Sequence, residues 1–195
     1  MASFTKRAII ESFARQLQAK PVEKITVKDI VEDCGISRNT FYYHFKDIYA
    51  VLEEILHIRE ERVIQGLESG EINQEDWKDG IDRMMENQDF LYRIYRSTRG
   101  SEVRRYFSES VAAIFKHLVD VKARGIPALE EDKEVISRFY NHAFEGCMAD
   151  WLESGMKTPI RQELERLDRL FEGNIELALQ RSAKYCQETA EKKKE

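Results

Sequence analysis

Residues 26–46 read TVKDIVEDCGISRNTFYYHFK, and this stretch decides the fold. Val27, Ile30, Val31 and Cys34 recur at 0, 3, 4 and 7, the spacing of one buried helix face. Thr26 stands just before them, where a hydroxyl can accept a free amide hydrogen of the first turn. Gly35 follows at the position where a chain leaving a helix often needs positive φ. Ser37 then offers a second N-cap, and Phe41 and Phe45 share a face one turn apart. A helix of about eight residues, a glycine turn and a second short helix make a helix-turn-helix. The unit is expected to read DNA.

Composition sets the frame around that unit. A chain of 195 residues suffices for one or two domains, and 42% hydrophobic residues can build a core. Three prolines and nine glycines, among many Glu, Lys, Arg, Leu and Ala, favour an all-α protein. No apolar run approaches the roughly 18–20 residues of a membrane span. The first ten residues, MASFTKRAII, lack the apolar region of a secretion signal. Cys34, Cys147 and Cys186 are odd in number and far apart, which suits neither a disulfide framework nor a zinc site. They read as reduced thiols of a cytoplasmic protein with no membrane partner.

Charge argues mildly against DNA. The chain is −5 overall, whereas nucleic-acid binders are usually basic. Residues 1–48 carry eight Lys and Arg against six Asp and Glu, or +2, which leaves −7 for the remainder. A small cationic head on an acidic body can orient a protein on DNA, but +2 is a weak field.

Caps and breakers along the chain divide it into about nine helices with no convincing strand. Ser3 or Thr5 is expected to cap a first helix to about Ala19, burying Ile9, Ile10, Phe13 and Leu17, with a loop over 21–25. The two short helices follow near 27–34 and 38–44, and Asp47 caps a long one from Ile48 to about Leu67. Asn73 caps the next, Asn87 a short one over 88–98, and Ser101 begins another to about Arg124. Helix 130–154 is rich in aromatics. Thr158 as N-cap and Pro159 at the first helical position open a last helix to about Gln187. Residues 1–47 are thus expected to form the DNA-binding head and 48–190 a body for ligand sensing and dimerisation, with 191–195 a disordered tail.

The run Gly35-Ile36-Ser37-Arg38-Asn39-Thr40-Phe41-Tyr42-Tyr43-His44-Phe45 resembles the TetR family of bacterial transcriptional regulators. That family has a three-helix head with a Gly-apolar-Ser turn and a recognition helix ending in aromatic residues. The match covers roughly residues 4–56. Residues 41–47 and 151–156 also resemble a subgroup that includes the dihydroxyacetone-operon activator type. The resemblance implies a homodimer, a palindromic operator in double-stranded DNA, and a small-molecule or protein signal received by the body. Repression is the family's default and activation an alternative.

The residues themselves suggest roles within that frame. With Phe41 and Phe45 turned inward, Arg38 and Asn39 are the best base readers, since Arg pairs bidentately with guanine and Asn with adenine. Thr40 can touch a thymine methyl, and Tyr42 either joins the base contacts or packs against the first helix. Tyr43, His44, Lys46, Thr26 and Lys28 are expected to hold phosphates. One departure stands out: the family usually has a lysine three residues after the final Phe, and here that residue is Ile48.

In the body, Trp77, Met84, Tyr95, Tyr106, Phe107, Phe139, Tyr140, His142 and Trp151 either line a ligand pocket or simply fill a core. Phe144, Met148, Leu164, Leu167, Leu170, Phe171 and Ile175 are expected at a four-helix dimer interface. There is no Gly-rich phosphate loop, His-x-x-x-His pair or nucleophile elbow, and the four histidines are scattered. The expectation is therefore no enzyme, no cofactor and no metal. The competing reading is a helical ligand- or protein-binding module whose head reads DNA weakly or not at all, motivated by the net acidity and by Ile48.

Overall fold

The computed structural model describes residues 2–70, 88, 91–92 and 100–192. The described elements are helices, with no strand among them, and the architecture is a helix-turn-helix head with a helical body. The helices expected after Asn73 and over 88–98 lie almost wholly outside the described residues. No described helix is long and apolar enough to cross a membrane. The described residues divide into two compact units, one holding 2–59, 88, 91–92 and 100–108 and the other 60–70 and 109–192.

The first unit begins with α1 (Ala2–Ala19) and a single 3-10 turn at Val22–Lys24. There follow α2 (Val27–Cys34), α3 (Arg38–His44) and the start of α4 (Ile48–Ser69). Both short helices match the spans read from the sequence. Ile9, Phe13, Val22, Ile25, Ile30, Phe41, Val51 and Leu52 fuse into one core. Its larger side chains each contribute about 1.5–3 kcal/mol on burial, so three short helices can hold a fixed geometry. α1 packs on α2, and α2 on α3.

The turn between α2 and α3 follows from one glycine. Gly35 has φ 66° and ψ 32°, its N–H donates to the Glu32 carbonyl, and the Ile36 N–H donates to the Val31 carbonyl at 3.0 Å. These two bonds satisfy carbonyls that the helix end leaves open. Ile36 then drops onto the same core as Val31. Asp47 starts α4, its carboxylate accepting the Ala50 N–H at 2.9 Å.

The second unit contains most of α5 (Gly100–Lys122), then α6 (Glu130–Glu153), α7 (Ile160–Phe171) and α8 (Asn174–Lys192). α6 packs against both α7 and α8. One cluster joins Met148, Trp151, Ile160 and Leu164, and another joins Val119, Ala123 and Leu179. The first turn of α6 lacks a side-chain cap of its own. Ser182 of α8 lies beside it instead, accepting the Leu129 N–H at 3.0 Å and donating to the Asp132 carboxylate.

The single last helix expected from the sequence is in fact two. α7 ends at Phe171 and α8 begins at Asn174, with Gly173 between them in the left-handed conformation at φ 73°. The apolar stripe hides this break, because Leu167, Leu170, Phe171, Ile175 and Leu179 keep three- and four-residue spacing straight across it. Pro159, rather than Thr158, occupies the N-cap of α7, with no side-chain cap bond.

Candidate nucleic-acid interface

Two caps fix the ends of α2 and α3. The Thr26 hydroxyl accepts the Asp29 N–H at 3.2 Å, while the Asp29 carboxylate accepts the Thr26 N–H at 2.8 Å, a reciprocal capping box. Asp29 also receives Lys20 Nζ at 2.8 Å. The Lys20 hydrogen bond, followed by the two from Thr26, holds its carboxyl down at about 2. In α3, the Ser37 hydroxyl accepts the Thr40 N–H at 3.1 Å and lies 2.8 Å from the Thr40 hydroxyl.

Two aromatics set the rotation of α3. Phe41 is 0% exposed and Phe45 is buried one turn later, with ring centroids 6.1 Å apart. Arg38, Asn39, Tyr42 and Tyr43, which recur at 0, 1, 4 and 5, are exposed, Tyr43 to 80%. A helix with four exposed side chains of this kind presents guanine- and adenine-reading groups at its N-terminal end. Tyr42 sits edge-on to Phe41 at 5.6 Å, and Tyr43 edge-on to His44 at 5.0 Å. Thr40 is half-buried with its hydroxyl engaged at the cap, which leaves its methyl as the part suited to a base.

Ion pairing explains how a head of only +2 can still face a polyanion. Lys6 pairs with Glu54 at 2.6 Å, Arg7 with Glu11 at 2.8 Å, Arg15 with Asp33 at 2.6 Å and Lys20 with Asp29 at 2.8 Å. Lys28 stands 3.7 Å from Glu32, and both are exposed. Lys24, Arg38 and Lys46 alone among the cations of residues 1–48 have no carboxylate partner among the described residues. Arg38 opens α3 and Lys46 follows its end. The uncompensated charge therefore brackets the exposed face of α3. Lys24, in the turn before α2, was not singled out from the sequence; only its place in a loop beside Thr26 hinted at it.

Ile48 is half-buried against the head's core at the start of α4. Its side chain serves packing.

Residues 9–55 match the model of bacterial regulatory proteins of the tetR family, and residues 75–173 match a transcriptional regulator C-terminal region of the same family. The chain belongs to the TetR family. It is a TetR-family transcriptional regulator, and no enzyme family is indicated. Comparison with curated protein sequences finds no match. Among solved structures, it is similar to the dihydroxyacetone kinase operon activator DhaS, with 18% identity and a TM-score of 0.64. That likeness covers 89% of this chain and 97% of the other, and at such identity it concerns the fold alone.

The TetR-type body distributes the remaining candidates unevenly. Trp77, Met84 and Tyr95 lie outside the described residues. Trp151 is fully buried among Met148, Ile160 and Leu164, while Phe139 is 61% exposed and His142 lies on the surface with Nδ1 3.4 Å from Glu145. Tyr140 is half-buried, and that burial pushes its hydroxyl pKa up. Tyr106 and Phe107 are half-buried, with Arg105 over the Tyr106 ring at 4.9 Å.

Of the candidate interface residues, Met148 and Leu164 are covered by the chain's own core, with Phe144 and Leu167 packed on it. Ile175 packs beside Leu179, and Leu170 and Phe171 are exposed. Exposed apolar side chains that the sequence reading passed over stand on α6 at Val135 and on α8 at Leu177 and Tyr185. Together with Phe139, Val135 makes a one-turn apolar step on the outside of α6. Apolar residues on two sides of a helix were the available signal.

Proposed function

We propose that the protein acts as a homodimer on a palindromic operator, with α3 of each copy in the major groove. Arg38 and Asn39 read base edges, the Thr40 methyl and Tyr42 contribute at the rim, and Thr26, Lys28, Tyr43, His44 and Lys46 hold phosphates. Lys24 joins that phosphate set. The observation that carries this reading is the bracketing of an exposed, aromatic-anchored α3 by the unpaired cations Arg38 and Lys46. The two recognition helices would stand about 34–36 Å apart, or a multiple, to meet half-sites on one face of the duplex.

Dimerisation in this proposal uses α6 and α8, where Val135, Phe139, Leu177 and Tyr185 are exposed, with Leu170 and Phe171 of α7 at the margin. A signal received by the body releases or engages DNA by binding the two states unequally. Repression is the proposed sense of control. The deciding experiment selects duplexes from a random pool with the full chain and then measures the recovered sequence in a shift assay. A palindrome bound with two protomers is expected. Recovery of no shared sequence would overturn the reading in favour of a module whose head does not read DNA.

A further inference from the structure

An open groove of about 330 Å³ lies between α5 and α6, lined by Ala112, Ala113 and Lys116 from one and Glu134, Ser137, Arg138 and Asn141 from the other. All seven residues belong to the second compact unit. The volume is at the lower end of the range that small-molecule sites occupy. Along α6 the lining residues recur at 0, 3, 4 and 7, one continuous helix face. None of the aromatic candidates for a pocket lines it.

Asn141 is the unusual member. It is only 5% exposed, yet its Oδ1 is buried with no hydrogen-bond partner. Leaving a buried amide oxygen unsatisfied costs about 1–3 kcal/mol, so such an atom invites a donor from outside the chain. The neighbouring charges are also unspent. Lys116 and Arg138 are exposed and pair with no carboxylate among the described residues. With Glu134 included, the groove carries a net +1.

We propose that this groove binds a small hydroxycarboxylate. The carboxylate lies against the Lys116 ammonium and the Arg138 guanidinium, whose planar fork suits two oxygens. The adjacent hydroxyl donates to Asn141 Oδ1, and Ser137 and Glu134 bound the open side. A simple anion answers the cations and leaves the amide oxygen unsatisfied. A site that must hydrogen-bond a ligand hydroxyl discriminates strongly against the analogue that lacks it. The proposal is independent of what the head reads, because it concerns binding to the body alone.

The test is calorimetric titration of the full chain, without DNA, using lactate and glycerate as hydroxycarboxylates and propionate and sulfate, neither of which carries a hydroxyl donor, as controls at matched ionic strength. Saturable binding of at least one hydroxycarboxylate is expected, with propionate and sulfate weaker by about ten-fold or more. Arg138→Gln and Lys116→Gln, both at exposed positions, should each weaken it by a similar factor while leaving the circular dichroism spectrum unchanged. Asn141→Leu should remove the preference for lactate over propionate. No saturable heat, equal binding of propionate or sulfate, or wild-type binding by the Arg138 and Lys116 variants would each overturn the proposal.

Discussion

The Lys20 ammonium lies 2.8 Å from Asp29, the same carboxylate that closes the capping box on Thr26. One side chain therefore ties the end of the α1 segment to the start of α2, and its charge state governs both links. Asp29 is held at about 2, below its ordinary 3.8, chiefly by the Lys20 hydrogen bond. A carboxyl with a depressed folded-state value stabilises the fold above its unfolded value and loses that contribution as pH falls through the folded one. The head should therefore weaken between about pH 4 and pH 2. Thermal melts across that window should show the loss, and Asp29→Asn should flatten that part of the profile while lowering the melting temperature at neutral pH.

Arg38 and Lys24 are expected to fail differently. Arg38→Ala should cost about 1–3 kcal/mol on the preferred site and relax selectivity at one base position. Lys24→Ala should weaken binding evenly across sequences, as loss of a phosphate contact does. Shift assays on the selected operator and on single-base variants of it separate the two patterns. Unchanged affinity and specificity in Arg38→Ala would remove that residue from the base-reading set.

Gly35 offers a clean measure of backbone strain. A Cβ there would meet nothing within 4 Å, so only the positive φ of 66° opposes a side chain. Gly35→Ala is expected to cost about 1–2 kcal/mol, with Gly35→Asn costing less because asparagine tolerates this region. Denaturant unfolding of the two variants gives the comparison. Equal costs would mean that something other than φ constrains the turn.

The proposed interface predicts a change of assembly. Phe139→Glu puts a charge on an apolar step of α6 without touching the core, so the chain should become monomeric while keeping its helical spectrum. Light scattering reads the mass directly. A dimer of unchanged mass would place the interface on another face.

The head was legible because each of its boundaries rests on local chemistry. Thr26, Gly35, Ser37 and Asp47 are caps or turn residues whose effect spans three or four positions, and all four act where the sequence puts them. Which side of α3 faces outward was legible too, since Phe41 and Phe45 leave only one arrangement for the residues between them. The break at Gly173 was not, because an apolar stripe continues across it in phase. Nor was the covering of Met148 and Leu164 by Trp151 and Ile160, because periodicity marks a buried face without naming what buries it. Ion pairing between distant residues, such as Arg15 with Asp33, is likewise a product of tertiary structure.

That pairing has a thermodynamic consequence for how the protein searches DNA. A cation already neutralised by its own carboxylate displaces few counterions when it nears a phosphate, whereas each phosphate freshly neutralised lowers log affinity by about 0.9 per decade of salt. With Lys24, Arg38 and Lys46 as the head's cations that lack a carboxylate partner among the described residues, its hold on random duplex should be weak and should respond shallowly to ionic strength. Occupancy of an operator would then depend on fit to the bases, and little of the protein would be sequestered on the rest of the chromosome.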